Sequence, residues 1–190
     1  LAMSSAASDV YKRQVETMYL GEDGLIPLEV KFMHNPDSSH GFCGAALSAN
    51  VIHFWKSKEG KWEWEKIIDV ENEPHPEWPI PIPGVMSAIL VSMDDKYLYL
   101  NNWLHGDMRQ YDISDPHNPK LTGQVWMGGL LGKAPVVNGV KIAGGPQMYQ
   151  LSLDGKRMYV TTSLFSTWDN QFYPETVSYT HLRAHETKWH

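Results

Sequence analysis

This 190-residue chain predicts an all-β fold, about three blades of a radial β-propeller. Three observations carry that expectation. No window of a dozen residues holds a clean apolar stripe of helical period, whereas period-two runs such as "KYLYL" and "RMYVT" recur. Twelve prolines, fifteen glycines and a 12% aromatic share suit many short strands joined by tight turns. Most telling is a repeat. "LVSMDDKYLYLNNW" (90–103) and "QLSLDGKRMYVTTS" (150–163) share Ser-x-Asp-(Asp or Gly)-Lys-x-x-Tyr at an offset of 60 residues, and a looser copy, "ALSANVIHFW", begins at 46.

The elements follow in order. The first blade, 41–70, offers "GFCGAALS", "VIHFWKS" and, after the turn "KEGK", "WEWEKIIDV". The second, 84–128, opens with an apolar strand that runs into Ser92. Asp94 accepts turn N–H groups and Asp95 takes the left-handed corner, with Asp154 and Gly155 in the same places later. In the next strand Tyr97 and Tyr99 face one side, Leu98 and Leu100 the other. "DMRQYDI" (107–113), the turn "SDPHNP" (114–119) and "KLTGQVWM" (120–127) complete four antiparallel strands in about 45 residues, the content of one blade. A third blade, 146–176, opens at "PQMYQLS" and breaks off after "QFYPET". A β-sandwich is the rival architecture, and the recurrence of one turn in equivalent places favours the propeller.

The two ends read as foreign. "DVYKRQ" (9–14) and "VSYTHL" (177–182) are related as DNA. The reverse complement of GAT GTG TAT AAG AGA CAG, read from its third base, encodes Val-Ser-Tyr-Thr-His. Residues 1–14 and 177–190 therefore resemble translated sequencing-adapter ends, and the His181, His185 and His190 group falls away as a metal motif. Each tail carries one net positive charge, so the chain's −6 leaves the segment 15–176 at −8. That acidity, with Lys and Arg scattered, argues against a nucleic-acid partner. No apolar run reaches the roughly 20 residues of a membrane span, and the N-terminus lacks a basic region followed by an apolar stretch. Cys43 stands alone, which rules out an internal disulfide, and its apolar strand makes it a small core residue.

In a four-stranded blade the first and third turns share one end, and the second turns share the other with the links between blades. Taking 32–42 as such a link puts His34, His40 and His105 on a common rim with Trp103, Asp107, Trp168 and Asp169, and His117 on the opposite side. The mouth of a propeller channel is a usual ligand site. Blander readings stand beside these. His105 would bond Asp107 and brace a Gly106 turn, His34 would cap a turn, and His40 would be an exposed loop residue. His53 and His75 would be structural or solvated. The tryptophans of "KWEWEK" read as a half-buried strand. Gly144 and Gly145 precede Pro146 with no helix after them, so they form no phosphate loop.

"PLEVKFMHNPD", "GFCGAALS", "LYLNNWLHGDMRQYDISDPHNPKLTGQVWMGG" and "KIAGGPQMYQLSLDGKRMYVTTSLFSTWDNQFYP" closely resemble the selenium-binding protein family, whose members include methanethiol oxidases. The likeness spans 15–176. It implies a seven-bladed propeller of which this segment is the middle third. It also implies copper-dependent oxidation of a small thiol, methanethiol, by O₂ to formaldehyde, hydrogen sulfide and hydrogen peroxide. Imidazole suits copper, and a redox metal lets O₂ take electrons from a thiol. On the resemblance, His34 and His105 are the metal ligands. Asp107 orients His105, and Trp103 walls the substrate pocket. Cys43 does not lie in the family's selenium-linked cysteine motif. Two rivals remain: a non-catalytic propeller that binds protein partners, and a lactonase-like metal hydrolase for which Asn101, Asn102 and Asp107 are a partial set. Protein partners are not indicated. The compartment, cytoplasmic or periplasmic, stays open with the native N-terminus missing. The fragment by itself is expected to be inactive.

Overall fold

In the computed structural model, residues 3–4, 16–162, 164, 166–176 and 185–188 are described. A two-residue pair, β1 (Met3–Ser4) with β2 (Thr17–Met18), leads through a short 3-10 turn at Gly21–Gly24 into the first large sheet. That sheet is an antiparallel meander of β3 (Pro27–Phe32), β4 (Gly41–Ala45), β5 (Asn50–Lys56) and β6 (Trp62–Asp69). The second is a meander of β7 (Ile89–Val91), β8 (Tyr97–Asn102), β9 (Asp107–Asp112) and β10 (Lys120–Trp126). A hairpin of β11 (Val136–Val137) and β12 (Val140–Lys141) turns at Asn138 and Gly139, both at positive φ, as a two-residue turn requires. The third sheet contains β13 (Tyr149–Leu151) and β14 (Arg157–Val160); a seven-residue helix α1 (Ser166–Phe172) follows, and β15 (His185–Lys188) pairs with β14. The fold is all-β and propeller-type, two full blades and the start of a third.

The first blade differs from the sequence expectation. "PLEVKF" is its innermost strand, so the blade starts at Pro27 and 33–40 is its first turn, not a link between blades. "SLFSTWD" reads as loop in the sequence, and most of it is the first part of α1. The foreign-looking tails fall outside the described residues except for 3–4 and 185–188.

Alternation decides the packing. Leu98 and Leu100 join Val91, Ile89, Phe42, Val51 and Ile68 in the core between the first two sheets. Tyr99, on the other face of β8, packs with Met108, Leu151, Met158 and Val160 against the third sheet, with Tyr97 beside it. The repeated turn works as expected. Asp95 and Gly155 take φ of 58° and 67°. Ser92 and Ser152 Oγ accept the N–H of Tyr97 and Arg157 at 2.9 and 3.0 Å. Asp94 and Asp154 accept Lys96 and Lys156 N–H.

Two opposite ends result. The odd-turn end holds 33–40, 57–61, 92–96 and 113–119. The even-turn end holds 46–49, 103–106 and the links, where the Met86 N–H meets the Ala46 carbonyl at 3.2 Å.

Candidate functional site

At the even-turn end, His105 is completely buried in the β8–β9 turn. Its Nε2 lies 2.8 Å from the Ile82 carbonyl oxygen. A carbonyl only accepts, so Nε2 carries a proton, and in the neutral imidazole the lone pair is then on Nδ1. That Nδ1, Trp103 Nε1 and Asn102 Oδ1 are buried polar atoms without a hydrogen-bond partner among the described residues. Three such atoms in four consecutive residues are unusual for a folded interior, where buried polar groups are normally satisfied.

Trp103 is buried by an aromatic group contributed largely by α1. Phe172 and Tyr173 meet it edge-on at 5.3 and 5.1 Å, and Trp168 lies at 5.8 Å. Tyr173 donates its hydroxyl to the Trp103 carbonyl at 2.6 Å, and burial pushes that phenol far above its usual range. Gly106 holds the turn at φ +89°, and a Cβ there would overlap the Gly128 carbonyl.

Asp107 does not orient His105. It is buried and saturated by Asn102 Nδ2 at 2.9 Å, Arg109 Nε at 2.7 Å and Gln124 Nε2 at 2.6 Å. The backbone carbonyl of Ile82 takes that role, because the turn aims His105 at the link between blades and Asp107 starts β9 pointing into its own sheet. Asn101 is likewise occupied, bonding the Ala88 N–H at 2.8 Å and Ser87 Oγ at 2.7 Å. Asn101 and Asp107 therefore brace the sheets, and within the Asn101, Asn102 and Asp107 set only Asn102 Oδ1 is left without a partner among the described residues.

His34 sits at the other end. Asp95, in the β7–β8 turn of the second blade, accepts the N–H groups of His34 and Asn35 at 2.7 and 2.8 Å and faces His34 Nδ1 at 2.9 Å. These bonds outweigh burial and hold the Asp95 carboxyl below its usual range. His34 thus tethers one blade to the next. His105 lies beyond the far end of β8, a strand of six residues and so roughly 20 Å long. The two imidazoles expected on a common rim occupy opposite ends of the sheets and cannot share an ion. Pro27–Phe32 is the physical reason: as the first strand of its blade it inverts the end to which the next turn belongs. Trp168 and Asp169 do lie at the end occupied by Trp103, with Asp169 Oδ1 accepting the Leu164 N–H at 3.2 Å.

His40 lies not beside His105, as the common rim implies, but beside His117 and His53. Among the described residues, these three are the group of His, Cys, Asp or Glu that could hold a metal, with one ligand atom from each inside 4.8 Å of the others. His40 immediately precedes β4. His53 stands in mid-β5, fully buried, opposite Glu65 of β6 in the ladder. His117 comes from the β9–β10 turn of the next blade, where Asp115 caps its N–H at 3.1 Å. His40 Nδ1 is 2.8 Å from His53 Nε2. Glu65 Oε1 is 3.1 Å from His53 Nδ1 and 2.5 Å from His117 Nδ1. Phe42 and Trp55 wall the group, with centroids 5.4 and 4.8 Å from His53. Burial, then the neighbouring imidazoles, lower the basicity of His53 to about 4 against the pull of Glu65, and burial with His117 lowers His40. Burial opposes ionisation of Glu65, but the bonds from His53 and His117 keep its carboxyl below its usual range.

The sequence held a partial signal for this group. Val51, His53 and Trp55 share a face of β5 by alternation, but the pairing of His53 with Glu65 and the approach of the next blade's turn depend on register and blade packing.

The chain matches the family described as 56kDa selenium binding protein over residues 8–187. The chain belongs to that family. Within the selenium-binding protein family it is 52% identical over 183 residues to methanethiol oxidase of Xenopus tropicalis, covering 87% of this chain and 39% of that protein. It is 50% identical over 181 residues to methanethiol oxidase of Homo sapiens, covering 86% and 38%. The X-ray structure of a hypothetical selenium-binding protein from Sulfolobus tokodaii superposes with a TM-score of 0.80 at 40% identity, covering 86% of this chain and 38% of that one. This family member therefore spans less than two fifths of the length of its curated relatives.

Proposed function

We propose that this chain forms part of a thiol oxidase, converting methanethiol, O₂ and water to formaldehyde, hydrogen sulfide and hydrogen peroxide. The observation that carries the reading is about 50% identity to relatives named methanethiol oxidase. Methanethiol gives up two electrons as its carbon reaches the aldehyde level, and O₂ takes two electrons and two protons to become hydrogen peroxide. Water supplies the aldehyde oxygen, and sulfur leaves as hydrogen sulfide.

Copper is the proposed redox partner, since it relays electrons between a thiol and O₂. The pair His34 and His105 does not fit such a centre, because the two residues lie at opposite ends of the sheets. No step is assigned through copper.

This chain's contribution centres on His105. Its Nε2–H is held by the Ile82 carbonyl, which fixes the tautomer and leaves Nδ1 as a buried acceptor for the thiol proton. Trp103, flanked by Trp168 and Phe172, gives an apolar wall suited to a methyl group.

The test uses the longest gene product that contains the chain. His105→Gln should cut hydrogen sulfide release from methanethiol by about a hundredfold or more, the usual scale for a lost acid–base group. His34→Ala should leave the rate within about twofold. An unchanged rate in His105→Gln removes that residue from the chemistry.

A further inference from the structure

The cluster at the odd-turn end lies a strand's length away from His105, and nothing in the proposed chemistry uses it. We propose that His40, His53 and His117 form a second metal site, which takes a divalent late first-row transition ion such as Zn(II) and clamps the first blade to the second.

Four features support this. Three imidazoles arrive from separate places: the end of the first turn, a buried strand position, and a turn of the neighbouring blade. Nitrogen donors of this type select zinc-class ions over Mg²⁺ or Ca²⁺, which prefer oxygen. Glu65 faces Nδ1 of both His53 and His117, so one carboxylate orients two ligands through Nδ1 and leaves their Nε2 atoms directed away from it. That is the carboxylate–histidine arrangement that orients metal-bound imidazoles. His53, with its proton on Nδ1, accepts the Nδ1–H of His40 at its Nε2 at 2.8 Å, and an ion would displace that one proton and take both nitrogens.

The spacing also fits. Nitrogens on one ion at about 2.0–2.1 Å stand roughly 3–3.5 Å apart. The present ligand atoms lie within 4.8 Å of one another, so closure onto one ion brings them together by up to about 1.5 Å. Phe42 and Trp55 keep the inner side dry, while His117, 42% exposed, leaves an entry path and room for water as a fourth ligand.

The experiment strips metal from the longest gene product containing the chain, then titrates it with Zn(II), following bound metal and thermal midpoint. The comparison is a His40→Ala/His117→Ala double variant, at two positions exposed enough to tolerate truncation. The unmodified protein should bind one more equivalent than the variant, and loading should raise its midpoint by several degrees while the variant's stays put. Glu65→Gln should retain the site with affinity reduced about ten- to a hundredfold. Equal stoichiometry and equal thermal response in the unmodified protein and the double variant would overturn the site. A Glu65→Gln protein that binds as tightly as the unmodified one would overturn the role given to that carboxylate.

Discussion

At the scale of single residues, the environment of each side chain sets its chemistry. Cys43 is completely buried between β3 and β5, and burial pushes its thiol up to about 12. It is a core residue, as its apolar neighbours in the sequence imply. Folded protein at pH 8 should resist iodoacetamide, and labelling should appear only with denaturant. Because this chain has one cysteine, mass spectrometry of the 190 residues reads that result without ambiguity. Rapid labelling under native conditions would contradict the burial. Asp95 shows how a turn residue acquires a second task. Its left-handed corner is readable from the repeat, but its bonds to His34 and Asn35 of another blade are not. Asp95→Ala removes acceptors from two backbone N–H groups and should cost about 1–3 kcal/mol in a chemical denaturation measurement. Asp95→Asn, which keeps one acceptor oxygen and tolerates the same φ, should lose less.

At the scale of elements, period-two alternation and the Ser-x-Asp turn specify most strands. Expected boundaries of 107–113 and 120–127 compare with observed strands of 107–112 and 120–126. The exceptions have physical causes. Pro27–Phe32 alternates as a strand should, but its apolar residues Leu28, Val30 and Phe32 are the exposed ones and its polar Glu29 and Lys31 are half-buried. Glu29 is turned inward to accept the Ile89 N–H of the next blade at 2.8 Å. A tertiary contact thus reverses the usual sense of the pattern. The β8–β9 turn is also decided by its surroundings. Gly106 needs positive φ and lies against Gly128, so Gly106→Ala should destabilise the protein by more than about 2 kcal/mol, with loss of the His105 arrangement. An Ala variant as stable as the parent in a thermal melt would show that the close approach of the two glycines is not needed.

At the scale of the whole molecule, the chain is an open arc. Leu28, Val30 and Phe32 present an apolar strip on the side of the first sheet away from the second, and Tyr159 is exposed on the third sheet. Closed rings cover such faces with a neighbouring blade. The 190-residue chain expressed alone should therefore self-associate as concentration rises, and a monomeric, cooperative melt would contradict this. The same arc carries two distinct ends, one with a buried imidazole and an aromatic wall, the other with three imidazoles around Glu65. No helix among the described residues is long and apolar enough to cross a membrane.

The sequence by itself determined the all-β class, the repeating turn, the alternating faces of β8 and the family. Each of these rests on local chemistry: side-chain period, the need for positive φ, and the bonding of Ser and Asp to nearby backbone. Tertiary structure alone decided which histidines meet. Their encounters depend on how many strands precede a turn and on which blade's turn reaches across. The strand Pro27–Phe32 puts His34 and His40 at the end of the sheets opposite His105. A two-fold periodicity specifies which face a side chain takes, but the end at which a loop emerges depends on the parity of all the strands before it.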